Sequence, residues 1–91
     1  MTAPVRQRFD DMAPAQQAGI LCNDPRFQKF AAQQAGYPGR SFNTSAAAHF
    51  LRMECGVNSR RDLNSDQSAK TRFQILRTEF DAWTGKIATP R

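Results

Sequence analysis

The stretch Asp66-Gln67-Ser68-Ala69-Lys70-Thr71-Arg72-Phe73-Gln74-Ile75-Leu76-Arg77-Thr78-Glu79-Phe80-Asp81-Ala82-Trp83 decides the fold. Its residues Ala69, Phe73, Leu76, Phe80 and Trp83 are separated by 4, 3, 4 and 3 positions, which sets them on one stripe of an α-helix. Lys70, Gln74, Arg77 and Asp81 fall on another face, with Arg77 and Asp81 spaced to pair at i, i+4. Gly85 ends the helix, and Ala88 to Arg91 are expected to fray. Asn64 with Gln67 resembles a capping signal at its start.

Working towards the N-terminus, each neighbouring segment carries helix signals of its own. Ser59-Arg60-Arg61-Asp62 reads as one brief helical turn, with the acid three residues after the Ser. Asn43-Thr44-Ser45 offers caps for a helix over about Ser45 to Cys55, where Ala47, Phe50, Leu51 and Glu54 share helical spacing and Gly56 closes the end. Asp24-Pro25 opens a helix to about Ala35, because Asp accepts first-turn amide bonds and Pro has no amide to lose. Phe27, Phe30 and Ala31 lie on its apolar face, Arg26, Lys29 and Gln33 on the other. Gly36 and Pro38 stop it, and Tyr37-Pro38-Gly39 suits a type II turn. Ala15 to Cys22, opened by Pro14, reads as a short helix. Residues 1–13 show no sustained period and are expected to form a flexible arm.

The expected architecture is all-α: a small bundle of three to four helices plus a short helical turn, with residues 14–87 as the single domain. Composition agrees, since only eleven of the 91 residues are Val, Ile or Thr, the side chains that strands favour. The chain is too short for two domains, and its core should be thin. Thirteen basic and eight acidic residues leave +5, and ten of the thirteen are Arg. The planar guanidinium suits phosphate and carboxylate, so the balance favours an anionic partner, although +5 also serves solubility alone.

Several chemistries lack their residues. His49 is the sole histidine, and Cys22 and Cys55 stand 33 positions apart without metal-ligand spacing, so no metal and no cofactor is expected. Phosphate-loop, dinucleotide and nucleophile-elbow motifs are absent. Asp62 and Asp66 read as helix-start acids. Cys55 lies six residues beyond His49 on a different helix face, which leaves no nucleophile pair and predicts free, buried thiols. No apolar run is long enough for a membrane span, and Met1 to Pro14 has no apolar core of a signal segment, so a cytoplasmic protein is expected. A helix-turn-helix over Ala47 to Leu63 fits poorly, because Arg52 stands where a small residue should face the partner helix.

Two basic groupings remain as candidate binding residues. Arg60, Arg61, Lys70, Arg72 and Arg77 cluster between Val57 and Thr78, and Arg60 and Arg61 open a helical turn whose amides suit phosphate or carboxylate. The competing reading is a solvated surface with capping acids. Arg26, Lys29 and Arg40 accompany Tyr37 and Phe42, a mixture that stacks bases or anchors a protein interface, while Phe42 serves equally as a core staple.

The segments Ile20-Leu21-Cys22-Asn23-Asp24-Pro25-Arg26-Phe27 and Cys55-Gly56-Val57-Asn58-Ser59-Arg60-Arg61-Asp62-Leu63, with the Phe80-x-x-Trp83 ending, resemble a small helical domain of temperate phages and prophages. The likeness spans about residues 19–84 and rests mainly on caps and core positions. It implies a non-enzymatic protein that binds a host protein or nucleoprotein complex and blocks a nucleic-acid-dependent defence by steric occupation, similar to anti-CRISPR inhibitors of phages. The alternative it implies is an accessory of phage replication or recombination that binds DNA or RNA directly. An enzyme is the weakest reading. A monomer or a homodimer is expected, the latter through the helix around Phe73 and Phe80.

Overall fold

A computed structural model describes residues 9–85. The expected frayed end, residues 88–91, and residues 1–8 of the expected arm lie outside them. The described chain is all-α, with helices α1 (Pro14–Cys22), α2 (Pro25–Gln34), α3 (Thr44–Cys55) and α4 (Gln67–Thr84). Short 3₁₀ turns occupy Phe9–Asp11 and Arg60–Asn64. No helix among the described residues is long and apolar enough to cross a membrane.

Caps explain the boundaries. The Asp24 side chain accepts the Arg26 amide at 2.8 Å, with Pro25 as the first residue of α2. Asn43 accepts the Ala46 amide at 2.8 Å and starts α3 at Thr44, one residue before the expected position. Gly56 adopts φ +72° after α3, which lets the Val57 amide turn back to the Arg52 carbonyl at 3.0 Å. The cap of α4 is Asp66, which accepts the Ala69 amide at 3.0 Å. Asn64 does not fill that role. The 3₁₀ turn carries the chain on, the Asp66 amide returns to the Asp62 carbonyl at 2.9 Å, and the helix begins later. Ser59 makes no side-chain cap either; the turn is closed by the Asp62 amide on the Ser59 carbonyl at 3.0 Å.

The core is an aromatic cluster shared by three helices. Phe80 of α4 meets Phe27 of α2 edge-on at 5.3 Å between centroids and Phe30 at 5.4 Å, while Phe27 also meets Phe50 of α3 at 6.3 Å. Each buried Phe contributes about 1.5–3 kcal/mol by leaving water, and such tilted or edge-on pairs add about 0.5–1.5 kcal/mol. Leu63 of the 3₁₀ turn is fully buried, and free Cys22 and Cys55 complete the interior, as expected. Phe9 packs on this core from the segment expected to be part of the arm, because the Arg77 guanidinium covers its ring at 4.9 Å.

Two details depart from the periodic reading. Glu54 is exposed, and Cys55 takes the buried place in the last turn of α3. Phe73 and Phe80 are covered by the chain's own helices, each only 2% exposed, and do not offer a surface to a second copy.

Candidate binding surface

The first basic grouping is divided by the fold. Lys70 and Arg77 are seven residues apart on one side of α4 and line a groove of about 240 Å³ with Met12, Pro14 and Gln17. Arg77 also donates to Gln17 Oε1 at 3.1 Å, a contact that its expected pairing with Asp81 did not anticipate. Arg72 points roughly 200° around the helix from Lys70. Its guanidinium lies against Gly56, where an added Cβ would stand 2.7 Å from Nη1. Arg61 is exposed, whereas Arg60 is half-buried beside Cys22. The five cations therefore do not form one patch. The anion pocket expected at Arg60 and Arg61 is also reduced, because the Asp62 amide is already taken by Ser59.

The buried thiols feel this arrangement. Burial pushes the Cys22 thiol up, with Arg60 and Arg52 pulling the other way. Burial and the neighbouring Glu54 push Cys55 to about 11, against the pull of Arg72. Both remain protonated near neutrality, which removes their nucleophilic form.

The second grouping is partly assembled. Lys29 of α2 and Arg40 of the following loop line one cavity of about 270 Å³ together with Gln33, Gly39, Ser41 and Trp83. No carboxylate lines it. The loop that carries Arg40 is set by the expected turn: the Arg40 amide donates to the Tyr37 carbonyl at 3.2 Å, and Gly39 has φ +79°. The Phe42 amide then anchors the loop to the Gln28 carbonyl of α2 at 3.1 Å.

Trp83 is the residue that periodicity alone assigned to the core. Its indole is 40% exposed, lies 5.8 Å from Phe30 and 6.4 Å from Phe80, and donates Nε1–H to Gln33 Oε1 at 3.2 Å. One ring face thus rests on the aromatic core while an edge borders the cationic cavity. The available signal was its place as the last stripe residue before Gly85, where a helix end runs beyond its neighbours.

Arg26 and Tyr37 stand apart from this cavity. Arg26 binds Asp24 at 3.0 Å, and it lines a different cavity of about 430 Å³ in which Asp24 and Asp81 offset Arg26 and Arg77. Burial raises the Asp24 carboxyl, but the Arg26 guanidinium and amide outweigh it and hold the group below the usual carboxylate range. Tyr37 is exposed, with its ring 6.1 Å from Phe42.

The Lys29–Arg40–Trp83 arrangement provides an ammonium, a planar guanidinium and an exposed indole on one rim. Phosphate or carboxylate suits the first two, and a flat unsaturated group suits the third. No grouping of three or more His, Cys, Asp or Glu among the described residues is arranged to hold a metal. Comparison with known proteins returns no match among family models, curated proteins or solved structures.

Proposed function

We propose that this chain is a non-enzymatic binding protein that occupies a surface of a nucleoprotein machine, the inhibitor role implied by its resemblance to a phage domain. The observation that carries the reading is the carboxylate-free cavity shared by Lys29, Arg40 and Trp83. A phosphate backbone meets the two cations there, and an exposed base or an aromatic side chain of the partner meets the indole. Occupation of this kind needs no cofactor, and its affinity rests on a few Arg and aromatic anchors.

A second reading, an accessory that binds DNA or RNA directly, is favoured by the same juxtaposition of indole and cations. Single strands are held by stacking plus phosphate neutralisation. The two readings separate by experiment. Labelled single- and double-stranded DNA and RNA are titrated with the chain at about 50 and 200 mM salt, where counterion release weakens direct binding steeply. In parallel, the chain is added to guide-directed nuclease complexes cleaving a target DNA. Inhibition with no tight binding to free nucleic acid supports the inhibitor. Salt-sensitive binding without inhibition supports the accessory, and neither effect sinks both.

A further inference from the structure

The side of α4 turned away from the aromatic core carries a second regular pattern. Ser68, Thr71, Ile75, Thr78 and Ala82 follow one another at spacings of 3, 4, 3 and 4, so they form an uncharged stripe nearly opposite Ala69, Phe73, Leu76 and Phe80. Ile75 at its centre is 57% exposed. The Thr71 and Thr78 hydroxyls donate to the Gln67 and Gln74 carbonyls at 3.1 and 3.0 Å, so both donors are already satisfied inside the helix. Covering Thr71 and Thr78 therefore leaves neither of their hydroxyl protons without a partner.

The charges beside the stripe decide what covers it. Arg72 and Glu79 flank it on one edge, and a groove of about 240 Å³ there is lined by Glu54, Arg72, Ile75, Leu76 and Glu79. Among the described residues, neither Arg72 nor Glu79 forms an ion pair within the chain. In an antiparallel pairing of two α4 helices, residues on matching edges face each other. Layering Ile75 on Thr78 of a second copy, and Thr71 on its Ala82, brings Arg72 opposite Glu79 of that copy. By symmetry Glu79 meets the second Arg72, so both charges find partners. A parallel pairing sets Arg72 against Gln67 and Glu79 against Gln74, and satisfies neither.

We infer that the outer face of α4 is the interface of an antiparallel homodimer, with Ile75 at its centre and reciprocal Arg72–Glu79 pairs at its edges. The interface is isologous, each copy offering the same patch. One helix per copy is a small contact, which makes the dimer weak and its population concentration-dependent. This inference stands on residues separate from the Lys29–Arg40–Trp83 cavity and does not depend on the function proposed for it.

The test is sedimentation equilibrium of the full chain from about 10 to 500 µM, a range that captures micromolar association. A monomer–dimer equilibrium is expected. Ile75→Arg should render the chain monomeric throughout while its thermal midpoint is retained. Glu79→Arg, at an exposed site away from Gly56, should weaken association at least tenfold by opposing Arg to Arg. Adding Arg72→Glu to it should restore association. A monomeric wild-type chain over the whole range overturns the inference, as does a double exchange that remains as weak as Glu79→Arg.

Discussion

Asn64 caps a helix from a distant part of the chain: its Oδ1 accepts the amide of Ala15, 49 residues earlier, at 3.0 Å. Helix α1 starts at Pro14 after Ala13, which has no side-chain acceptor, so the first-turn amide of Ala15 depends on this tertiary contact. The 3₁₀ turn that carries Asn64 also inserts Leu63 into the core. Cap and anchor therefore act together to fix α1 on the rest of the bundle.

Asn64→Ala removes the acceptor and should destabilise the fold by about 1 kcal/mol, the usual cost of a lost cap. For a domain of this size that lowers the thermal midpoint by about 4–8 °C. Asn64→Asp, which keeps an acceptor oxygen, should stay near the wild-type midpoint. Circular dichroism melts of the three proteins check the pair, and equal melting of Asn64→Ala and wild type would show that the contact contributes nothing.

Phe80 touches Phe27, Phe30 and Trp83 at once. Truncation to Ala opens a cavity in an aromatic cluster and should cost about 3–5 kcal/mol. A small domain of this kind has few kcal/mol to lose, so Phe80→Ala should be largely unfolded at 37 °C. Urea titration followed by helical signal measures it. Trp83→Ala, at a partly exposed site, should cost clearly less than Phe80→Ala.

Lys29 and Arg40 share the candidate cavity, and each side chain is exposed. Lys29→Ala/Arg40→Ala should shift stability by no more than about 0.5 kcal/mol per site, the range for surface substitutions. Partner or nucleic-acid binding should fall at least tenfold in the same protein. Arg26→Ala, at a cation already paired with Asp24, should alter binding much less. Equal losses in the two variants would detach binding from this cavity.

Two groups set the pH limits of stability in opposite directions. The Asp24 carboxyl is lowered in the fold, so its contribution is complete above the unfolded value and is lost as pH falls through the folded one. Asp24→Asn should therefore be less stable than wild type at neutral pH, with the difference shrinking in strong acid. Cys55 is raised from an ordinary 9.0 to about 11. Its contribution is full below pH 9.0 and declines as pH rises towards about 11, where the unfolded thiol ionises more readily than the buried one. Denaturant midpoints measured across pH for wild type, Asp24→Asn and Cys55→Ala give both limbs.

Local signals in the chain were enough for the helices. Asp24-Pro25, Asn43 and Gly56 act within a few residues of where they stand, and the 4-3-4-3 stripe of α4 states its own period. The buried face of α4 followed from that period up to Phe80. The candidate site was legible only in its residue types: Lys29, Arg40 and their surroundings were marked as a basic and aromatic patch, but Trp83 was assigned to the core, and Arg26 and Tyr37 were grouped with residues they do not join.

By itself, then, the sequence determined where α2, α3 and α4 start and stop, because hydrogen bonds from i to i+4 and the caps at Asp24, Asn43 and Asp66 are short-range interactions. Tertiary structure alone decided which distant side chains became neighbours. It brought Asn64 to Ala15, Arg77 to Gln17 and Trp83 to Gln33, across 49, 60 and 50 residues of chain. It also placed Arg40 beside an indole from the far end of the chain. A cation's role depends on the solvent and charges around it, and those are set only when the helices pack.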